Sequence, residues 1–210
     1  MMVRRINVIS LLVLFTIVFL ITACSPHPPI PLESLLAESP QFPATWETDR
    51  GPISVDWQVG RYFFSQEPRY ALNATQNLGR TWTDRGDPTG NPEVSEHIFY
   101  YDNVLTAICY FFLLRPEIAW RRQWPNFYFS DLHKYRYPSD WHYRSRYADG
   151  EHVVCGMGTL ERCQLWFYWA RYGQYLLEIR FLAPNQGIGP HLFEQIVAQV
   201  EPYVGERLGR

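Results

Sequence analysis

Residues 141–182, WHYRSRYADG EHVVCGMGTL ERCQLWFYWA RYGQYLLEIR FL, decide the fold of this chain. Aromatic and β-branched residues alternate with polar ones over four short runs, and a period of two is typical of β-strands. The dipeptide Asp149-Gly150 between the first two runs is a strong hairpin signal, and Gly173 separates the last two. The stretch therefore predicts a four-stranded antiparallel meander whose first strand covers residues 141–148.

The turns and one predicted disulfide set the register of this meander. A two-residue turn at Tyr172-Gly173 places Trp169 opposite Leu176, and a bridge between Cys155 and Cys163 places those two residues opposite each other. Because side chains alternate between faces, this register assigns every residue to one side of the sheet. The predicted core face contains Trp141, Tyr143, Tyr147, Val154, Trp166, Tyr168, Ala170, Tyr175, Leu177, Ile179 and Phe181.

The opposite face of the meander combines arginines with large apolar side chains. Its members are His142, Arg144, Arg146, Val153, Cys155, Cys163, Leu165, Phe167, Trp169, Arg171, Leu176, Glu178 and Arg180. We expect part of this face to stay in contact with water, because buried guanidinium groups would all need partners in the interior. An apolar patch rimmed by positive charge often marks an interaction site. The candidate binding face consists of Arg144, Arg146, Phe167, Trp169, Arg171 and Arg180.

A structural interpretation of the same face remains open. Arginine stems can cover neighbouring aromatic rings, and Glu178 can neutralise one guanidinium group. In that case the mixture of arginines and rings only completes the protein surface and has no ligand.

The chain between residues 53 and 101 predicts further strands. Residues 53–65 (ISVDWQVGRYFFS) alternate and are rich in aromatic and β-branched residues, which indicates one or two strands. Residues 66–95 contain several glycines and prolines and few apolar runs, which indicates a long loop with at most a short element. Residues 97–101 (HIFYY) again predict a strand.

Two further runs predict helices. Asp102 or Asn103 is suited to cap a helix through VLTAICYFFLL (residues 104–114), although a hairpin turning at those two residues competes with it. The run HLFEQIVAQVEPYV (residues 191–204) predicts a second helix that packs against the sheet. Its apolar stripe is Leu192, Ile196, Val197 and Val200, and its polar side is Gln195, Gln199 and Glu201. The predicted class is α+β, an antiparallel sheet packed by about two helices.

The first residues have the parts of a secretory signal. Arg4 and Arg5 precede an almost wholly apolar run over residues 8–23, which leads to Cys24. The sequence Ile21-Thr22-Ala23-Cys24 resembles the lipobox of bacterial lipoproteins. The resemblance implies diacylglycerol on the Cys24 sulfur, cleavage before that residue and acylation of the new amine. Two interpretations compete with it: an uncleaved anchor, for which the run is shorter than the usual ~20 apolar residues, and a plain cleaved signal.

This resemblance and the composition predict three segments. Residues 1–23 form the signal peptide, residues 24–41 a proline-rich tether, and residues 42–210 a single globular domain on the extracytoplasmic face of the cell membrane. Removing the signal peptide takes away two arginines and no acid, which changes the formal net charge from −2 to −4. This balance argues against nucleic-acid binding, which requires a clustered excess of Lys and Arg. Aromatic residues make up 17% of the chain, so rings should dominate the core.

The four cysteines fit an exported protein. With Cys24 committed to lipid, Cys109, Cys155 and Cys163 remain in a compartment where disulfides persist. We predict a bridge between Cys155 and Cys163 and a free thiol at Cys109. Cys109 lies among apolar neighbours, where a thiol is usually a small buried hydrophobe.

Motifs for catalysis or metal binding are weak in this chain. The pairs Asp131-x-His133 and Asp140-x-His142 each place a carboxylate two residues from an imidazole, and Glu151 or His152 are further candidate ligands. A zinc site needs three or four ligands in a fixed geometry, so we expect solvated polar side chains instead. The chain has no G-x-S-x-G elbow, Walker A loop or dinucleotide fingerprint. We therefore predict no catalytic residue, metal or cofactor.

In the order of its elements the domain resembles small extracytoplasmic α+β lipoprotein domains of the sensor and PsbP-like kind. The leading hypothesis is a non-catalytic, lipid-anchored binding or sensor domain, attached to the membrane through Cys24 and binding a protein or small-molecule ligand. Two other classes remain open. One is a hydrolase or metal-dependent enzyme of the cell envelope, and the other is a structural accessory subunit of a membrane complex.

Overall fold

The computed structural model describes most of the predicted domain. The described residues are 29–48, 51–63, 72–86, 92–113, 136–158, 162–183 and 187–209. Their helices are α1 (Leu32–Leu35), α2 (Val104–Leu113) and α3 (Pro190–Arg207). Their strands are β1 (Thr45–Thr48), β2 (Gly51–Ser54), β3 (Trp57–Phe63), β4 (Gln76–Asp84), β5 (Glu93–Tyr100), β6 (Gly150–Gly158), β7 (Cys163–Tyr172) and β8 (Tyr175–Leu182).

Six of these strands form one antiparallel sheet in the order β3-β4-β5-β8-β7-β6, and β1 and β2 form a separate hairpin. α2 and α3 both pack against β7 and β8, but on opposite faces of the sheet. α1 lies beside α3 and β4. This arrangement confirms the predicted α+β class.

Aromatic side chains fill the larger core, which lies between the sheet and α3. The rings of Trp166 and Phe193 are 5.3 Å apart, and Trp141 lies 5.8 Å from Phe193 and 6.1 Å from Tyr168. α3 contributes Ile196, Val197 and Val200 of the predicted apolar stripe, because its pattern repeats at helical spacing, whereas Leu192 is only partly buried. The fully buried apolar residues of this helix are Phe193, Ile196, Val197, Val200 and Val204.

A smaller core lies under α2. Ala107 and Phe111 of the helix are buried in one cluster with Phe167 and Leu176 of the sheet. Asn103 caps the helix, since its side-chain oxygen accepts the N–H of Thr106 at 2.8 Å. The structure therefore confirms the predicted helix and not the competing hairpin.

Residues 141–148 are not the predicted first strand of the meander. This crossing segment (residues 141–148) runs over α3, where Glu194 accepts two of its backbone N–H groups. Asp149 forms no hairpin, because its carboxylate instead accepts the N–H of Gly173 at 2.6 Å. In the described part of the chain the meander therefore has three strands, β6, β7 and β8.

The β7–β8 hairpin turns one residue later than predicted. Its turn residues are Gly173 and Gln174, and Gly173 has a φ of 60°, which glycine adopts without steric cost. Trp169 consequently pairs with Glu178 and not with Leu176. A register shift of two residues leaves the predicted faces unchanged from Leu165 onward, whereas Cys163 joins the core under α3.

β6 is shifted by an odd number of residues, and this shift reverses its faces. Cys155 lies opposite Trp166, three residues along β7 from Cys163. Val154 therefore joins the core under α2 and Val153 joins the core under α3, the reverse of the prediction. Cys155 and Cys163 still lie at disulfide distance, with their Cα atoms 5.7 Å apart.

Residues 66–95 contain all of β4 and the start of β5, and not the long loop that the sequence predicts. Polar residues dominate β4 (QNLGRTWTD), so its sequence lacks the alternation of a half-buried strand. Continuous pairing with β5, from Gln76 to Thr83, makes it an interior strand of the sheet. Pairing on both sides outweighed a weak local propensity.

The chain packs against the sheet ahead of the predicted boundary at residue 42. The N–H of Ile30 donates to the Tyr175 hydroxyl at 2.8 Å, and Leu35 and Leu36 are fully buried. Residues 30–37 therefore belong to the folded body and not to a free tether.

Candidate functional site

The apolar part of the predicted binding face is covered. Phe167 and Trp169 are 3% and 1% exposed, and their rings stack 5.0 Å apart. Ala107 and Phe111 of α2 belong to the same core. The prediction that these two rings contact water is wrong, because an apolar helix closes over them.

The arginines of that face do not lie together. Arg171 and Arg180 remain on the sheet, and each pairs with an acidic side chain, at 3.1 and 2.5 Å. Arg144 and Arg146 belong to the crossing segment, where their side chains are 70% and 77% exposed. The two aromatic residues of the predicted face therefore lie in a core, two of its arginines remain on the sheet and pair with acids, and the other two lie on the crossing segment. The six residues form no common surface.

A polar cluster interrupts the α2 side of the sheet. Glu178 accepts a hydrogen bond from Trp169 Nε1 at 2.9 Å, and burial raises the pKa of its carboxyl group despite that bond and the charge of Arg180. His97, its partner across the β5–β8 pairing, lies 3.0 Å from the side-chain oxygen of Asn77. Burial, together with the charge of Arg180, lowers the pKa of His97 to about 3. Burial thus favours the neutral form of both side chains.

A second cluster surrounds Glu201 of α3, which is fully buried although the sequence places it on the polar side of the helix. Its carboxylate accepts hydrogen bonds from the hydroxyl groups of Tyr143, Ser145 and Tyr172. Two of these donors come from the crossing segment and one from β7. The carboxylate therefore links the crossing segment to the sheet through α3.

Replacing Glu201 with Gln should lower the free energy of unfolding by about 1–3 kcal/mol, because an amide donor then faces hydroxyl donors. Glu33→Gln is the matched control, since this helical glutamate is exposed and lies in α1, away from the crossing segment. The control should change stability by less than about 0.5 kcal/mol. Urea unfolding of both variants, followed by tryptophan fluorescence, measures the difference. Equal small losses would show that the carboxylate does not hold the crossing segment.

A third cluster lies where the chain enters the domain. Both backbone groups of Ala37 are held: its N–H donates to Glu96 at 3.0 Å, and its carbonyl accepts from Arg80 at 2.6 Å. Glu96 and Arg80 are direct partners on β5 and β4, and both are buried. Burial raises the pKa of Glu96 to about 8, against the lowering influence of the Ala37 N–H and of Arg80. A carboxyl group that titrates near neutral pH thus fixes the entering chain.

The sequence predicts neither the cluster around Glu201 nor the cluster around Glu96. Glu201 directly follows Val200 of the apolar stripe of α3, and the crossing segment and Tyr172 of β7 supply its hydrogen-bond partners. Arg80 lies in a stretch that the sequence predicts as loop, so nothing placed it opposite Glu96. A buried acid inside a predicted helix or strand carries no local signal of its partners.

The side of α2 that faces away from the sheet is apolar and exposed. Leu105 and Phe112 are 63% and 48% exposed, and Cys109 between them is exposed too, contrary to the buried thiol that we predict from sequence. Spacings of four and three residues place the three side chains on one side of the helix. We call these three residues the outer stripe of α2.

The outer stripe lies at the end of the sheet where the chain enters. The N–H of Tyr101 donates to the Gln174 carbonyl at 3.0 Å, so α2 begins beside the β7–β8 turn. Phe111 packs at the start of β6, so the helix crosses the strands at this same end. Tyr175, which accepts the N–H of Ile30, is the first residue of β8 after that turn.

The structure describes one of the two candidate Asp-x-His pairs. Asp131 and His133 lie outside the described residues, and Asp140 and His142 are exposed. Within the described ranges, no three His, Cys, Asp or Glu side chains are grouped to hold a metal ion. The helices of that same part of the chain include none that is long and apolar enough to cross a membrane.

Comparison of the chain with protein-family models, curated proteins and solved structures finds no match. Function is therefore inferred from the residues and their geometry.

Proposed function

We propose that this chain is a lipid-anchored, extracytoplasmic domain that works at the membrane surface as a non-catalytic binding or sensor domain. The order of Arg4, Arg5, the apolar run and Ile21-Thr22-Ala23-Cys24 supports the anchor. The observation that carries the proposal is the packing of the chain from Ile30 onward. It leaves only residues 25–29 between a lipid on Cys24 and the folded body.

So short a connection would keep the domain close to the bilayer. An extended chain covers at most ~3.3–3.6 Å per residue, so Cys24 and Ile30 are separated by at most about 20 Å. Two or more acyl chains at one cysteine give firm attachment, whereas one chain gives only marginal binding. The domain would therefore work against the membrane and not at the end of a long tether.

The buried acids support a non-catalytic role. Glu201 accepts hydrogen bonds from three hydroxyl groups of the fold. Glu96 accepts one from the Ala37 N–H, and Glu178 accepts one from the ring N–H of Trp169. Each acid therefore has a structural use as a hydrogen-bond acceptor. We find no contact among the described residues that specifically favours an envelope hydrolase or a metal-dependent enzyme.

Replacing Cys24 with Ser should abolish incorporation of labelled palmitate, because the thiol that would carry the lipid is lost. The variant should either accumulate as a full-length precursor or leave the membrane fraction. Cys109→Ser is the matched control and should keep both the label and the membrane association. Metabolic labelling and fractionation measure these outcomes. Absence of label from the wild-type protein would reject the lipid anchor in favour of an uncleaved one.

The compartment has a separate readout in the same cells. Because Cys155 and Cys163 lie at disulfide distance, an exported domain should have them oxidised. Alkylation of intact cells, followed by peptide mass spectrometry, should then modify Cys109 and neither of the other two. Alkylation of all three residues would argue against the extracytoplasmic location.

A further inference from the structure

α2 differs from an ordinary surface helix because, in the part of the chain that the structure describes, its outward side carries exposed apolar residues. A helix at the surface of a globular protein normally turns charged and polar residues to water. The outward positions of α2 are Leu105, Cys109 and Phe112, and the helix has no charged residue from Val104 to Leu113. Exposed apolar surfaces of this kind mark places where a protein or membrane is bound.

The position of the outer stripe indicates what binds to it. The chain enters at Ile30, at the same end of the sheet but on its α3 side, and the described part begins one residue earlier at Pro29. A lipid on Cys24 would lie within about 20 Å of that point. A bilayer that holds this lipid would face the end of the sheet that α2 crosses, and it offers the outer stripe an apolar phase.

We propose that the outer stripe of α2 docks into the interfacial region of the lipid bilayer. The inference rests on the lipid anchor proposed above, which holds this end of the sheet towards the membrane. Helices that lie in the membrane interface bury an apolar side by about 5–10 Å, and leucine and phenylalanine are typical of that side. α2 crosses the strands at this end, so a membrane at this corner of the domain meets the whole helix and not only its tip.

Cys109 offers a reporter at the centre of the stripe. In the lipidated chain Cys24 is acylated and Cys155 is bonded to Cys163, so Cys109 is the one reactive thiol of the four cysteines. The polarity-sensitive dye NBD is attached to Cys109 of the full lipidated protein. The protein is then incorporated into vesicles of phosphatidylethanolamine and phosphatidylglycerol, with or without phospholipids brominated in their tails.

Docking predicts that NBD emission shifts to the blue and is quenched by the brominated tails. Leu105→Ser with Phe112→Ser should lower the ratio of docked to undocked protein by about tenfold or more, because two large apolar side chains leave the interface. The matched control is Val59→Ser with Tyr137→Ser, which changes two side chains of similar exposure, 54% and 52%, elsewhere on the domain. The control should keep the quenching of the wild-type protein.

Two outcomes would overturn the docking. Emission that is water-like and unquenched in the wild-type protein would leave the stripe in solvent. Emission that is blue-shifted and shielded from iodide, yet unquenched by brominated tails, would assign the stripe to a second copy of the chain. Flotation of the protein with the vesicles tests the lipid anchor separately, so failure of the docking and failure of the anchor are distinguishable.

Discussion

Replacing Trp169 with Ala should lower the free energy of unfolding by about 3–5 kcal/mol, the usual cost of removing a buried tryptophan. The side chain is 1% exposed, stacks on Phe167 and donates its ring N–H to Glu178 at 2.9 Å. The substitution therefore leaves a cavity under α2 and also removes a hydrogen bond from a buried carboxylate. In a domain of this size such a loss lowers Tm by on the order of 10 °C.

The matched control for this variant is Tyr137→Ala, which removes an aromatic ring that is 52% exposed. It should change stability by less than about 0.5 kcal/mol. Thermal and urea unfolding of both variants provide the comparison. A Trp169→Ala protein as stable as the wild type would show that the ring faces solvent, and the arginine-bearing face would return as a binding surface.

The domain should lose about 2 kcal/mol of stability as the pH rises from 6.5 to 8, and Glu96→Gln should remove most of that loss. The pKa of Glu96 is about 8 in the fold, against 4.5 for an unperturbed glutamate. Between these values the unfolded chain has released a proton that the folded chain still holds, so stability falls as the pH rises.

His97 acts in the opposite direction over a lower range. Its pKa is lowered from 6.5 to about 3, so its contribution is complete above pH 6.5 and is lost as the pH falls. The two slopes oppose each other between pH 4.5 and 6.5. Above pH 6.5 His97 is neutral in both states, so it does not contribute to the loss there, which we assign to Glu96.

Urea unfolding at pH 6.5 and pH 8 measures the effect. Glu38→Gln is the matched control, because this acid follows Ala37 directly and its side chain is 76% exposed. The control should keep the pH dependence of the wild type. Equal stability of the wild-type protein at the two pH values would mean that Glu96 stays ionised throughout, as a buried partner of Arg80.

Local periodicity determined the faces of β7 and β8 and the existence of both long helices. The β7–β8 turn lies one residue later than we predict, yet Phe167 and Trp169 kept their predicted side because the shift was even. The apolar stripe of α3 and the Asn103 cap of α2 follow from side chains within a few residues of each other. Such patterns are physical properties of a single element and need no partner.

Only the tertiary structure decided three features: which face each side chain of β6 takes, the existence of β4, and the covering of one sheet face by α2. β6 is shifted against β7 by an odd number of residues, so Val153 and Val154 lie on the opposite faces from those predicted. The length of the connection between the two strands sets this shift. The crossing segment left the sheet for α3 because Glu194 and Glu201 accept its hydrogen bonds there. Neither choice has a local signal, since each depends on free energies of contact between residues far apart in the chain. Periodicity states which side chains of a strand share a face, but only packing decides which way that face turns and what covers it.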